Sequence, residues 1–328
     1  MNQKLSQFVP RFLMAALLLG TSLFSHAQSE YPNKPIRLII GFPAGGSTDI
    51  VGRIVAQNLG ERLGQTIVVE NRGGAGGTIG TDAAAKAAPD GYTLTLGTTS
   101  TMAVAPGAYS KLGYDPIKSF SPISLVAVTP YLLVVNPQVP AKSLAELVAL
   151  VKSQPGKLNY ASAGNGSTTQ LATEMLNDVT GMKMTHIPYK GNAAADLAIL
   201  SNQVEVLFGS MPALLQHAKS NKLLALAVGS ATRSSALPEI PTVAELGYPG
   251  FEAALWLGVL APAGTPKPII DKLNKELVAI AATPDFKAAM DKNGADATSN
   301  TPEQFASLIQ NEVGKYGSIT KRLGIKLD

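Results

Sequence analysis

Cysteine is absent from this sequence, and histidine is scarce. The 328 residues include no cysteine and only three histidines. This composition excludes disulfide scaffolds, thiol nucleophiles, iron–sulfur clusters and cysteine-based zinc sites. Charged residues are also few, at 15% of the chain. A disordered chain is therefore excluded, because disorder requires high charge and low hydrophobicity.

Apolar residues, glycine and proline are plentiful instead. Hydrophobic residues make up 45% of the chain, and 31 glycines and 22 prolines are available for turns and loops. At roughly 100–200 residues per domain, the length predicts about two domains. The net charge of +4 is small, and the lysines and arginines are scattered along the chain. We expect no nucleic-acid partner, because such a partner requires clustered cations.

The N-terminus has the pattern of an export signal. Lys4 and Arg11 precede an apolar run at residues 12–24, and the small residues Ser25 and Ala27 follow this run. This order predicts a signal peptide over residues 1–27 that is cleaved after Ala27. The alternative is a transmembrane anchor, but the 13-residue run is shorter than the ~20 residues needed to span a bilayer.

Strand and helix patterns alternate along the rest of the chain and recur in the same order. The strands of the two series are predicted at 36–40, 66–70 and 92–96, and at 158–161, 184–187 and 204–208. The tripeptide Gly-Ser-Thr follows the first strand of each series, at 46–48 and 166–168. Parallel strands require crossover helices, so each series predicts a small, doubly wound, mostly parallel sheet. The recurrence favours two similar lobes, although any α/β protein shows some repetition of this kind.

The chain crosses between the two predicted lobes twice. Strand patterns at 125–128 and 131–135 lead into the second lobe, and those at 223–228 and 256–260 lead back. Amphipathic helices are predicted at 269–281 and 302–323, packed on the first lobe. We assign residues 1–27 to the signal peptide and residues 28–128 to the first lobe. Residues 129–239 form the second lobe, and residues 240–328 return to the first lobe with the C-terminal helices. Two crossings make a hinge, which favours closure around a ligand.

The two Gly-Ser-Thr loops have the features of an anion site. Each lies between a strand and the N-terminus of a helix, where unpaired N–H groups and partial positive charge attract anions. The hydroxyls of Ser47, Thr48, Ser167 and Thr168 add further donors. Ligands bind outside the carboxyl ends of parallel strands, where these loops lie. The pattern predicts a small-carboxylate site without a cationic side chain; plain helix N-caps are the alternative.

The residues that catalysis or cofactor binding requires are missing or isolated. Outside the predicted signal only His186 and His217 remain, and we interpret both as structural or solvated. Neither G-x-S-x-G nor H-E-x-x-H occurs. The glycine-rich stretches at 74–80 and 164–169 miss the dinucleotide fingerprint and lack the G-K-[ST] of a P-loop. We therefore expect no catalytic residue, no metal site and no cofactor. Helix capping is the expected role of Asp49, Asp82, Asp196 and Asp285.

A series of short motifs lies along almost the whole chain after the signal. They are YPNKPIR at 31–37, FPAGGSTD at 42–49, VENR at 69–72, APDGY at 88–92, PGKLNY at 155–160, HIPYKG at 186–191, LP at 237–238, PTVAE at 241–245 and LAPAGTP at 260–266. In these motifs the sequence resembles the substrate-binding receptors of tripartite tricarboxylate transporters, also called Bug receptors.

The resemblance implies a fold, a location and a partner. The fold is an α/β, two-lobed periplasmic binding protein of the Venus-flytrap type. The implied role is to capture a small carboxylate in the periplasm, without chemistry, and to deliver it as a monomer to the membrane subunits of the transporter. The site residues that the resemblance indicates are Phe42, Gly46, Ser47, Thr48, Thr98, Thr99, Ser100, Ser162, Gly166, Ser167, Thr168, Gly209 and Ser210.

One departure from the family pattern bears on the ligand. Many members carry Asp directly after the phenylalanine that is Phe208 here, where it can pair with a ligand ammonium; this chain has Gly209. The missing charge disfavours an amino acid, and we expect it to open space. The hypothesis is a dicarboxylate or an aromatic carboxylate, terephthalate-like acids included. The alternative function is a secreted α/β enzyme that acts on a small carboxylate.

Overall fold

Strands and helices alternate through residues 31–326, the part of the chain that this computed structural model describes. The strands are β1 (Ile36–Ile40), β2 (Ile67–Asn71), β3 (Thr93–Thr98), β4 (Phe120–Val135), β5 (Asn159–Ser162), β6 (Thr185–Pro188), β7 (Val206–Ser210), β8 (Leu224–Val228), β9 (Ala254–Pro262) and β10 (Asp296–Ala297). The helices are α1 (Ser47–Leu63), α2 (Thr78–Ala85), α3 (Ala105–Ala108), α4 (Leu144–Ser153), α5 (Thr168–Thr180), α6 (Asn192–Leu200), α7 (Met211–Lys219), α8 (Lys267–Ala282), α9 (Pro284–Lys292) and α10 (Pro302–Arg322).

The export signal predicted for the N-terminus falls outside the described residues, as does its cleavage site after Ala27. Within residues 31–326, no helix combines the length and the apolar character that a membrane crossing requires.

The sheet contains the same three-strand unit twice. Its order is β2-β1-β3-β9-β4-β7-β5-β6, with β8 and β10 paired to β4. β1 lies between β2 and β3, and β5 lies between β6 and β7, with parallel pairing throughout both units. This repeated order agrees with the internal repeat predicted from the sequence. We call the half with β1–β3, β9 and β10 the first lobe, and the half with β5–β8 the second lobe.

The strand β4 belongs to both lobes. It pairs antiparallel with β9 from Phe120 to Pro130 and with β7 from Tyr131 to Val135. The sequence predicts two strands here, because Pro130 interrupts the pattern. In the structure these residues form one strand. Pro130 lies at the position where the pairing partner changes from β9 to β7. The lobe boundaries at 128/129 and 239/240 stay predictions.

The C-terminal helix α10 packs on the first lobe, as its amphipathic pattern predicts. A capping box between Thr301 and Gln304 fixes its start. Its residues Phe305 and Ile309 are buried in one apolar cluster with Trp256 of β9. At the other end of α10, Arg322 forms an ion pair with Asp178 of α5. The helix therefore contacts both lobes.

Candidate functional site

The loop between β1 and α1 is held from behind by buried polar groups. The Asp49 carboxylate accepts hydrogen bonds from the Gly45 N–H at 2.9 Å and from Asn71 Nδ2 at 3.0 Å. The same Asn71 amide donates to the Phe42 carbonyl at 2.9 Å. The helix itself begins after Gly46, which has no side-chain cap. Asp49 thus braces the turn that precedes the helix.

The charge of Asp49 is neutralised locally. Burial alone would raise the pKa of this carboxyl group, but hydrogen bonds from Arg53, the Gly45 N–H and Asn71 outweigh burial and lower it. The Arg53 guanidinium lies 2.9 Å from the carboxylate. The negative charge of Asp49 near the N-terminus of α1 is therefore balanced by Arg53. It would repel an anion bound there less than an unpaired carboxylate would.

The corresponding loop of the second lobe uses its serine as a cap. Ser167 Oγ accepts from the Gln170 N–H at 3.3 Å and donates to the Gly164 carbonyl at 2.6 Å. Thr169 Oγ1 accepts from the Ala163 N–H at 2.8 Å. The plainer alternative from the sequence, a helix N-cap, is therefore realised at Ser167.

Side chains from the two lobes meet directly at Thr168. Its N–H donates to Ser100 Oγ at 2.9 Å, and the two hydroxyls are also 2.9 Å apart. Tyr131 of β4 donates its hydroxyl to Thr168 Oγ1. The turn after β3 and the first turn of α5 are therefore in contact.

A second set of hydroxyls adjoins the first across β4. Ser47 Oγ donates to the Ser210 carbonyl at 3.4 Å, and the Ser210 and Thr129 hydroxyls lie 2.9 Å apart. Tyr131 is the β4 partner of Ser210 in register, which places the two sets side by side. We call the combined group the hydroxyl cluster; its members are Ser47, Ser100, Thr129, Tyr131, Thr168 and Ser210.

The structure buries most of the residues that the resemblance indicates. Less than a tenth of the surface is exposed for Phe42, Ser47, Thr48, Thr98, Thr99, Ser100, Ser162, Ser167, Thr168 and Ser210. The Thr99 hydroxyl accepts from the Trp256 N–H at 3.0 Å. The Thr98 side chain bonds within its own turn. The structure brings four of these residues into the hydroxyl cluster. Thr98 and Ser167 form bonds within their own turns, and Thr99 bonds to β9.

A cleft of about 520 Å³ lies between loops of the two lobes, within the usual size range of small-molecule sites. No member of the hydroxyl cluster lines it, and of the residues that the resemblance indicates only Phe42 does. Among the described residues, the lining contains two lysines and no acidic side chain. The lining residues are Phe42, Pro43, Gly74, Ala75, Gly76, Gly77, Tyr109, Ala163, Gly164, Asn165, Pro188, Tyr189, Lys190, Gly191 and Lys326. Lys190 and Lys326 bring two cationic side chains to the cleft, whereas the sequence analysis predicts a site without one.

One rim of the cleft is a left-handed turn. Four successive residues, 74–77, have positive φ angles, including Ala75 at 48°. The turn passes close to the opposite lobe, since a Cβ on Gly76 would lie 2.9 Å from the Asn165 carbonyl oxygen. Tyr109 also donates its hydroxyl to that oxygen, at 3.4 Å. The glycine-rich stretch that fails as a nucleotide motif thus forms a surface against which the second lobe closes.

The expectation of open space at Gly209 is wrong. A Cβ at this position would lie 2.7 Å from Leu214 Cδ1 and 3.1 Å from Leu207 Cγ. Gly209 therefore faces the packed interior beneath α7, and its missing side chain leaves no room for a ligand. Its neighbour Ser210 bears the side chain that reaches the hydroxyl cluster.

Ser162 and His186 form a close pair whose proton arrangement can be assigned. The Gly166 N–H donates to Gln170 Oε1 at 2.8 Å, which orients that amide. Gln170 Nε2 then faces His186 Nδ1 at 3.3 Å and donates to it. The proton of the neutral ring is consequently on Nε2, which donates to Ser162 Oγ at 2.6 Å. The histidine is a donor to this serine and not its base.

His186 also fits the structural role that the sequence analysis assigns to it. Its ring stacks on Tyr160, with centroids 4.9 Å apart. Burial lowers the pKa of the His186 imidazole, and the nearby Glu174 carboxylate offsets only part of this effect. The neutral ring is thereby favoured in the folded protein.

Replacing His186 by glutamine tests this assignment. At pH 7.5 we expect the variant to lose about 1–2 kcal/mol of unfolding free energy through broken hydrogen bonds. The folded-state pKa lies below the unfolded value of about 6.5. The stabilisation by neutral His186 is therefore complete above pH 6.5 and is lost as the pH falls through the folded-state pKa. Urea unfolding between pH 5 and 7.5 measures this effect. The difference in unfolding free energy between the variant and wild type should become smaller as the pH falls.

His217→Gln is the matched control for this series. The control should retain the wild-type pH dependence over the same interval. A constant energy difference for His186→Gln at every pH would contradict the neutral donor role.

Solved structures identify the class of protein that this fold and cleft define. The periplasmic binding protein BugD has a TM-score of 0.87 and 39% identity, over 90% of this chain and 100% of that chain. Rpa4515 of R. palustris with adipate scores 0.88 at 33% identity, over 91% and 100%. MatC (Rpa3494) of Rhodopseudomonas palustris with bound malate scores 0.84 at 32% identity, over 88% and 99%. The chain has the two-lobed fold of periplasmic binding proteins.

The sequence comparison then gives the family. The family model described as tripartite tricarboxylate transporter family receptor matches residues 51–325. This chain belongs to that receptor family, which includes the Bug proteins. The recognition made from its motifs is confirmed.

Proposed function

We propose that this protein captures a small dicarboxylate or aromatic carboxylate between its lobes and delivers it to the membrane subunits of a tripartite tricarboxylate transporter. It acts in the periplasm, as a monomer, after removal of residues 1–27. The observation that carries the proposal is the cleft: loops of both lobes line it, and none of the described residues in its lining is acidic.

The binding groups proposed for the carboxylate come from both lobes. Ser47 and Thr48 lie at the N-terminus of α1, and Thr168 lies at that of α5. Helix N-termini stabilise anions through free N–H groups and the helix dipole. Opening of the lobes separates Ser100 from Thr168 and frees their hydroxyls for a ligand. The remaining residues that the resemblance indicates stay proposed members of the site.

The class of ligand is supported by two independent observations. No described residue in the cleft lining can neutralise a ligand ammonium, so amino acids are disfavoured. Two structurally similar receptors carry adipate and malate, which are both dicarboxylates.

A secreted enzyme is the second function that the sequence leaves open. The pair of Ser162 and His186 is the arrangement closest to a nucleophile and a base, at 2.6 Å. A base must accept the serine proton, whereas this histidine donates to the serine. The family model that matches the chain describes a transporter receptor. We therefore infer that the protein binds its ligand without turnover. Formation of a product from any bound carboxylic acid would contradict this.

A thermal-shift screen tests the proposed function. We expect adipate, malate or terephthalate to stabilise the purified protein, with about 2.7 kcal/mol gained at 100 times the dissociation constant. Glutamate and aspartate are the controls and should give no shift. Stabilisation by the amino acids but by none of the diacids would overturn the ligand class.

A further inference from the structure

Two lysines reach the cleft from different parts of the fold. Lys190 lies in the loop after β6 of the second lobe, and Lys326 follows α10, which packs on the first lobe. Both side chains belong to exposed residues. Among the described residues, neither ammonium group has an ion-pair partner. Other described cations, such as Arg53 and Arg322, are paired with carboxylates.

Closure brings these two positive charges to one opening. Within residues 31–326, no acidic side chain lines the cleft to compensate them. Like charges that approach one another oppose the closed state, and an anion between them reverses the sign of that interaction. A ligand with a negative charge at the mouth therefore favours closure more than a ligand without one.

The cleft lining joins two kinds of chemistry. The loops that lead into α1 and α5 contribute uncharged residues, Phe42, Pro43, Gly164 and Asn165. Lys190 and Lys326 contribute two ammonium groups in contact with solvent. A ligand with one carboxylate at the helix N-termini and a second carboxylate at the lysines uses both.

We propose that Lys190 and Lys326 form a subsite for the distal carboxylate and make the receptor select dicarboxylates over monocarboxylates of equal length. This inference rests on the proposed function and adds the residues that set its ligand class. The two lysines close on the ligand from opposite lobes, so the second carboxylate also stabilises the closed form.

Adipate and hexanoate form the matched ligand pair, because they share a six-carbon chain and differ by one carboxylate. Lys190→Gln and Lys326→Gln are each expected to weaken adipate binding about five- to tenfold in isothermal titration, which is the range for one partly solvated charge contact. Hexanoate binding should change less than twofold. The double variant should lose most of the preference for adipate.

Lys183→Gln is the charge-matched control, since Lys183 is an exposed second-lobe residue outside the cleft lining. It should leave both affinities unchanged. Raising NaCl from 50 to 500 mM should reduce the wild-type preference for adipate, because solvent-exposed charge contacts are screened. The midpoints of thermal unfolding without ligand should be equal in wild type and all four variants.

The outcomes separate this inference from the proposed function. Equal loss of adipate and hexanoate affinity in the cleft variants, or an equal loss in Lys183→Gln, would overturn the distal subsite. Wild-type protein that binds adipate no better than hexanoate would also overturn it. If wild type binds none of the carboxylates, the proposed function itself fails.

Discussion

Replacing Asp196 by asparagine is expected to stabilise the protein by a few kcal/mol at pH 8 and to change its stability little near pH 4. Asp196 is the fifth residue of α6 and is only 8% exposed. No described residue forms a hydrogen bond or an ion pair with it. Burial raises the pKa of this carboxyl group to about 7.

The sign of this effect follows from proton linkage. In the unfolded chain the carboxyl group has a pKa near 3.9, so the folded protein binds the extra proton between about pH 4 and 7. The free energy of unfolding therefore falls as the pH rises through this interval. At about 1.4 kcal/mol per unit, a difference of about three units gives at most ~4 kcal/mol, expressed fully above pH 7. Asparagine removes this penalty because it never ionises.

Urea unfolding of wild type and Asp196→Asn at pH 4, 6 and 8 measures the effect. Asp285→Asn is the control, since Asp285 is an exposed acid in the first turn of α9. Loss of its interaction with the helix dipole should cost only about 0.3–1 kcal/mol. A destabilised Asp196→Asn protein at pH 8 would show that the carboxylate has a partner in solution and would refute the prediction.

Replacing Gly76 by alanine is expected to weaken ligand binding ten- to a hundredfold. The new Cβ would lie 2.9 Å from the Asn165 carbonyl oxygen of the opposite lobe. Forcing an extra carbon into a packed contact costs about 1–3 kcal/mol. This cost applies to the closed form, so the balance shifts toward open lobes and the affinity for adipate falls. Titration with adipate and small-angle scattering with the ligand present measure both effects.

Gly64→Ala separates closure from backbone strain. Gly64 has a φ of 65°, close to the 63° of Gly76, but nothing lies within 4 Å of its Cβ position. Both alanines pay the same left-handed penalty of about 1–2 kcal/mol in folding stability. Only Gly76→Ala should bind adipate less tightly. Equal affinities of the two variants would place residue 76 outside the closing surface.

Hydrophobic patterns in the sequence predict much of this fold, because they mark the residues that a strand or helix buries. The aliphatic run of β1 and the apolar stripe of α10 each appear where the sequence places them. The capping role expected for Asp196 is wrong, because Gly191 caps α6 and the aspartate is buried one turn further on. Spacing near a helix start does not reveal which face the tertiary structure covers.

Part of the candidate site could also be predicted from local sequence patterns. Lys190 follows a predicted strand, and the rule that ligands bind beyond the carboxyl ends of strands could have selected it. Lys326 gives no such signal, since 136 positions separate it from Lys190 and only the packing of α10 brings it to the cleft. The left-handed turn at 74–77 is marked by its glycines, but its approach to Asn165 depends on how the lobes meet.

The shared strand β4 limits how the receptor can move. Its two ends pair with different lobes, along β9 and along β7, and the neighbouring strand changes between Pro130 and Tyr131. We expect the strand to bend at this point. Thr129 and Tyr131 flank that point and belong to the hydroxyl cluster. In the proposed function, ligand binding at this cluster therefore acts directly on the point where β4 can bend.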